Sequence, residues 1–193
     1  SRHLSPEASR TRPGRPYTTT LRGPVTDFAA YLQRHPRHTP KLEQQVHYGR
    51  PAPEIKPVSW MTREGVSAPP DTKGKVVLIE FWGTHCGPCI SQLPEVRTAA
   101  RYYADQPFVL IGMHDSHTSV AELQEFAQKE ELDFQLAIDR PSTRKGFFGE
   151  TIRNFNVRGI PSAAVIDQQG NVAYVGYFSE ALKTVDRLLK EKK

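Results

Sequence analysis

Apolar residues run almost without a break through Lys75-Val-Val-Leu-Ile-Glu-Phe-Trp82, the pattern of a strand buried on both faces. From residue 87 to 104 the period becomes helical, with Leu93, Val96, Ala100 and Tyr103 on one side. Pro94 falls inside that stretch, leaves the Ile90 carbonyl without its usual partner and predicts a kink. Residues 107–113 read as a second buried strand, and 119–131 as an amphipathic helix with Val120, Leu123, Phe126 and Ala127 inward. A short strand over 134–138 is followed by a partly helical stretch, 142–155, broken by Gly146 and Gly149. Residues 163–167 and 172–178 form two strands around Gln168-Gln169-Gly170-Asn171, a hairpin signal. The last helix spans 179–190 with Leu182, Val185, Leu188 and Leu189 facing in. Strands alternating with helices and closing in a hairpin plus helix predict an α/β sandwich with a mixed central sheet.

The first 50 residues break this pattern. They carry nine Lys/Arg against three Asp/Glu, whereas residues 51–193 carry seventeen against eighteen, so the net charge of +5 belongs to the N-terminal segment. Nine of the sixteen prolines lie within the first 57 residues. Such a stretch buries too little apolar surface to offset the entropy of ordering it. Residues 1–48 are therefore expected to be a basic, Pro-rich tail or linker, with residues 49–193 the folded domain. One short helix, 26–34, is expected within the tail, with Phe28, Tyr31 and Leu32 on one face. Without a dense Lys/Arg block or interleaved aromatics, nucleic acid is not an expected partner. The sequence has no apolar run of about 18 residues or more and no signal-peptide pattern. The chain begins at Ser1 rather than Met, which leaves room for a targeting segment upstream.

The two cysteines, Cys86 and Cys89, change the picture most. A loop this small removes little chain entropy on closure, so the pair is a poor structural staple. The same spacing suits redox chemistry or half of a metal site, and no second Cys pair or H-x-x-x-H completes a zinc site. The motif lies where a buried strand hands over to a helix. There, free N–H groups and the helix dipole favour a thiolate at Cys86 by up to about 2 kcal/mol. Cys86 is expected to be the exposed attacker and Cys89, one turn in, the buried resolving thiol. Pro88 fits the first turn because it has no N–H to waste.

The stretch Phe81-Trp82-Gly83-Thr84-His85-Cys86-Gly87-Pro88-Cys89, with Pro94 beyond it, closely resembles thioredoxin active sites, as does Val157-Arg158-Gly159-Ile160-Pro161-Ser162. The wider pattern resembles the TlpA/ResA branch, thioredoxin-like proteins on the outer side of bacterial membranes. Gly49-Arg50-Pro51-Ala52-Pro53, Lys73-Gly74-Lys75-Val76-Val77 and Asp167-Gln168-Gln169-Gly170 carry this, with the separation of 72 positions from Cys89 to Pro161. The resemblance covers residues 49–190 and implies a thioredoxin fold with an inserted helix–strand unit between its two halves. It implies that Pro161 is cis and lies against the dithiol, and that the Ile160 backbone pairs with substrate. It also implies a monomeric thiol–disulfide oxidoreductase with protein substrates, an upstream thiol reductant, no cofactor beyond the dithiol, no metal, and a membrane tether outside the cytoplasm. Trp82, Gly87, Pro88, Ile160 and Pro161 are the expected substrate-binding residues.

The sequence departs from that pattern in places. His85 stands where the family usually has Trp, Glu80 where thioredoxins have a buried Asp and this branch often has Asn. Glu80 reads either as a buried base that takes the Cys89 proton, or as an edge residue paired with a lysine such as Lys75. His85 reads either as a cation favouring the thiolate or as an exposed loop residue. Trp82 can wall the dithiol or simply fill the core. His114, Asp115 and His117 follow the second strand. They are either loop residues or, with the cysteines, ligands for copper or zinc in a metal-carrier reading of the chain. A peroxidatic Cys preceded by Pro and Thr is not present.

Overall fold

The computed structural model describes residues 48–143 and 148–191. The expected helix at 26–34 and Gly146 lie outside the described residues. The elements run β1 (Ser59–Thr62), β2 (Gly65–Val66), β3 (Val76–Trp82), α1 (Gly87–Tyr102), β4 (Phe108–His114), α2 (Val120–Lys129), β5 (Gln135–Ile138), α3 (Glu150–Asn154), β6 (Ser162–Ile166), β7 (Val172–Gly176) and α4 (Phe178–Lys190).

One seven-stranded mixed sheet, ordered β2-β1-β5-β4-β3-β6-β7, forms the centre. Strands β3, β4 and β5 are parallel, while β1, β6 and β7 run antiparallel to their neighbours. Every residue of β3 is buried, as its unbroken apolar run requires. The alternation of its side chains divides the core. Val76, Leu78 and Trp82 face Leu93 and Val96 of α1, Leu123 of α2 and Leu182 and Val185 of α4. Val77, Ile79 and Phe81 face Ile152 of α3, with Phe155 and Val157 after it. The unit α2–β5 sits between β4 and α3, the insertion expected between the two halves of a thioredoxin fold.

Local chemistry marks the boundaries. Ser119 and Glu122 form a reciprocal capping box at the start of α2. In the turn between β6 and β7, Gly170 has φ +83° and the Asp167 carboxylate accepts from the Gln169 and Asn171 N–H groups at 2.9 Å each. Helix α3 is shorter than the expected helical stretch, and its first turn is capped from a distance. The Asp139 carboxylate, buried at the end of β5, accepts from the N–H groups of Thr151 and Ile152 at 3.0 Å. The Gly49–Pro53 motif is stitched to the β7 side of the sheet, with Gly49 N–H donating to Val172 O, Val172 N–H to Arg50 O and Ala52 N–H to Gly170 O. The hairpin β1–β2, absent from the predicted elements, extends the opposite edge by pairing with β5.

Candidate active site

Strand β3 ends at Trp82, a tight turn follows, and α1 begins at Gly87 with Cys86 as its N-cap. Cys86 and Cys89 are joined in a disulfide with their Cα atoms 5.2 Å apart. The Cys89 N–H, free at the helix start, points at Cys86 Sγ at 3.3 Å. Cys86 is half-buried, Gly87 and Pro88 are exposed, and Cys89 is buried. The outer sulfur is thus the one a partner can reach, and the inner one is shielded by the helix.

The loop ahead of β6 brings the second half of the site alongside. The Ile160–Pro161 bond is cis, and the Ile160 carbonyl oxygen lies 3.8 Å from Cys86 Sγ. A cavity of about 420 Å³ opens beside the dithiol, lined by Pro88, Gln92, Ile160, Pro161, Tyr177 and Phe178 among others. Gly87, Pro88, Ile160 and Pro161 are therefore together at one surface. Trp82 is not with them. At 1% exposure it is a core residue, packed on His114 and Phe126 in the same cluster as Cys89.

Glu80 lies in the interior of the sheet, flanked by β4 and β6, on the face covered by α1. Lys75, its alternative partner, pairs with Asp71 instead. Gln92 Nε2 donates to Glu80 Oε1 at 2.9 Å, and Glu80 Oε2 is buried without a hydrogen-bond partner. Burial, reinforced by the charge of Glu95, pushes the Glu80 carboxyl well above the ordinary range, against the opposing Gln92 bond. Gln92 was legible in principle, since it lies one turn beyond Cys89 on the same helix.

The residues after β4 form a second set of contacts with the active-site turn. The Thr84 N–H donates to His114 Nε2 at 2.9 Å, which leaves Nδ1 of that ring to donate to the Asp115 carbonyl oxygen at 2.9 Å. The Asp115 N–H donates to Trp82 O at 3.0 Å. His114 and the Asp115 side chain are fully buried. The Asp115 carboxylate accepts from the His117 N–H at 2.8 Å and meets His85 Nε2 at 3.1 Å. Burial works against its charge, yet the hydrogen bonds from His114 and the His117 N–H hold the carboxyl below its ordinary range. A Cβ at Gly83 would come within 2.8 Å of both Asp115 Oδ2 and His85 Cε1, so glycine is what lets the imidazole fold back over the turn. His114 and Asp115 are thus not exposed loop residues. Among the described residues, no group of three or more His, Cys, Asp or Glu is placed to hold a metal ion.

The redoxin family model matches residues 49–189. The chain belongs to the redoxin family. It is 33% identical over 102 residues to the thiol-disulfide oxidoreductase ResA of Bacillus thuringiensis subsp. konkukian, a match covering 53% of this chain and 54% of that protein. To the thioredoxin-like protein YneN of Bacillus subtilis it is 30% identical over 132 residues, covering 67% and 71%. The chain spans about half the length of the ResA relatives it matches. A thiol-disulfide isomerase from Corynebacterium glutamicum superposes with a TM-score of 0.61 at 24% identity, covering 75% of this chain and 99% of that one. A thioredoxin-family thiol:disulfide interchange protein from Chlorobium tepidum gives 0.56 at 25%, covering 73% and 98%. These likenesses bear out the thioredoxin-like fold and the place of this redoxin in the TlpA/ResA-like group.

Proposed function

We propose that this redoxin is an enzyme that exchanges or reduces disulfides in protein substrates through Cys86 and Cys89. The observation that carries the reading is the paired sulfurs at the start of α1, one within reach of solvent and one shielded, with the Ile160 carbonyl alongside. In the reduced protein the Cys86 thiolate attacks one sulfur of the substrate disulfide. That bond breaks, the other substrate sulfur leaves as thiolate, and a mixed disulfide forms. Cys89 then gives its proton to Glu80 and its thiolate attacks Cys86 Sγ. The second substrate sulfur leaves with the electron pair, and the Cys86–Cys89 disulfide forms. An upstream thiol reductant resets the pair, and the dithiol needs no further cofactor and no metal.

Ile160 offers its backbone to an extended substrate segment, and Gly87, Pro88 and Pro161 complete the docking surface beside the cavity. Residues 49–193 serve as the catalytic domain and residues 1–48 as a linker. The protein works as a monomer outside the cytoplasm, tethered through an N-terminal segment. Similarity to the TlpA/ResA group and the basic, Pro-rich composition of residues 1–48 support this placement. Among the described residues no helix is long and apolar enough to cross a membrane.

Reduction of insulin disulfides in the presence of dithiothreitol tests the activity. Wild type accelerates the reaction and Cys86→Ser abolishes the acceleration. A Cys86→Ser protein as active as wild type would refute the assignment.

A further inference from the structure

Two ionisable side chains beside the dithiol take no part in the exchange chemistry above. Asp115 is fully buried at the end of β4, and His85 immediately precedes Cys86. Register explains how they meet. Trp82 pairs with His114 across β3 and β4, so the residue after His114 arrives under the turn that leads to Cys86. Three hydrogen bonds then fix that turn: Asp115 N–H to Trp82 O, Thr84 N–H to His114 Nε2, and Cys86 N–H to Gly83 O at 3.0 Å. The His85 ring lies back across Gly83 with Nε2 3.1 Å from Asp115 Oδ2. The second carboxylate oxygen is committed to the His117 N–H.

We propose that Asp115 is a positioning residue that holds His85 as a cation next to Cys86, and that this pair sets how readily the Cys86 thiol gives up its proton. The inference rests on the dithiol reading above. When the thiol ionises, the proton goes to solvent and the sulfur keeps the electron pair, so no other reactant is involved. Asp115 Oδ2 is buried without a hydrogen-bond partner, so the His85 ring at 3.1 Å is an ion-pair contact, and a protonated ring is the state that offsets the carboxylate charge. Without the cation the carboxylate remains in the floor of the site as a like charge for the thiolate.

Other charged groups around Cys86 are accounted for. His114 is committed to the Thr84 N–H, and His117 lies on the far side of the Asp115 carboxylate with Nδ1 at 3.8 Å. Glu80 on β3 is joined to α1 through Gln92, and Glu95 of α1 acts on Glu80 through its charge. Arg158 lines the cavity beyond Ile160.

Half of the His85 side chain is exposed, so solvent screens it. One unit charge on the residue next to Cys86, screened in this way, changes the thiolate population about fivefold. The test is the ultraviolet thiolate titration of the reduced protein, together with the pH profile of Cys86 alkylation. His85→Gln lowers the thiolate population about fivefold at a fixed pH below the midpoint. His85→Lys restores most of it, because it keeps the cation. In the Asp115→Asn background the loss caused by His85→Gln shrinks by half or more, because His85 is no longer held there as a cation. An unmoved titration in His85→Gln overturns the proposal, as does a His85→Lys profile matching that of His85→Gln. So does an equal loss in both Asp115 backgrounds. The insulin assay separates the two levels of the account. Wild type failing to reduce insulin while the titrations stay coupled would refute the exchange activity and leave the charge pair standing.

Discussion

The side-chain amide of Gln92 donates to the carboxyl of Glu80 at 2.9 Å, joining the second turn of the active-site helix to an acid inside the sheet. Glu80 is 3% exposed, on the face of β3 that Cys89 also packs against. A carboxyl in that position holds a proton more firmly than one in water, which suits it to accept the Cys89 proton near neutral pH. Glu80→Gln keeps the shape and removes the base. Release of substrate from the mixed disulfide is expected to slow several-fold near pH 7, with recovery at higher pH where Cys89 ionises unaided. Attack by Cys86 should change much less. Stopped-flow measurement of the two steps against pH checks this, and equal resolving rates in wild type and variant would leave Glu80 a structural residue.

The same burial makes stability depend on pH. The folded Glu80 carboxyl titrates well above its ordinary value of 4.5, so between those two values the folded state binds more protons than the unfolded one. Its contribution is complete below that ordinary value and is lost as pH rises through the raised folded value. The slope reaches at most about 1.4 kcal/mol per pH unit. Urea unfolding across this window should show wild type losing stability relative to Glu80→Gln as pH rises. Parallel curves for the two proteins would contradict the assignment.

The Gly49–Pro53 motif carries the backbone bonds that tie the chain to β7, and the redoxin match begins at Gly49. Among the described residues ahead of it, Tyr48 donates its hydroxyl to Val175 O at 3.4 Å. A chain beginning at Gly49 is expected to unfold in one cooperative step at a similar temperature to the 193-residue chain. Calorimetry decides it, and a loss of several degrees would mean that residues 1–48 stabilise the domain.

Much of this architecture was legible because it is buried. Strand β3 announces itself by seven residues with no solvent face, and α4 by a helical period whose Leu182 and Val185 reach the core. The β6–β7 turn is written in Asp167 and Gly170. The β1–β2 hairpin was not legible, since four and two residues at a sheet edge, with Ser, Thr and Gly among them, carry no clear alternation. In the site, the Cys86–Cys89 pairing was legible in the spacing of the two cysteines, and the cis Ile160–Pro161 bond only in the family resemblance. Trp82 lies beside the motif in sequence but inside the core in space, because β3 carries its side chain under α1 and α2. His114 and Asp115 looked like loop residues. Their burial comes from the turn at Gly83 crossing over them, a tertiary event that no local pattern records.

The division of labour between the two cysteines has the most direct test. Cys89→Ser leaves the attacker and removes the thiol that resolves the intermediate. Incubated in reduced form with a disulfide-bonded protein substrate, it should accumulate a covalent adduct. Mass spectrometry after non-reducing digestion should place one substrate chain on Cys86, and dithiothreitol should release it. Reduced wild type should show little adduct under the same conditions. Absence of an adduct in Cys89→Ser, or an equal yield of adduct on Cys89 in Cys86→Ser, would contradict the account.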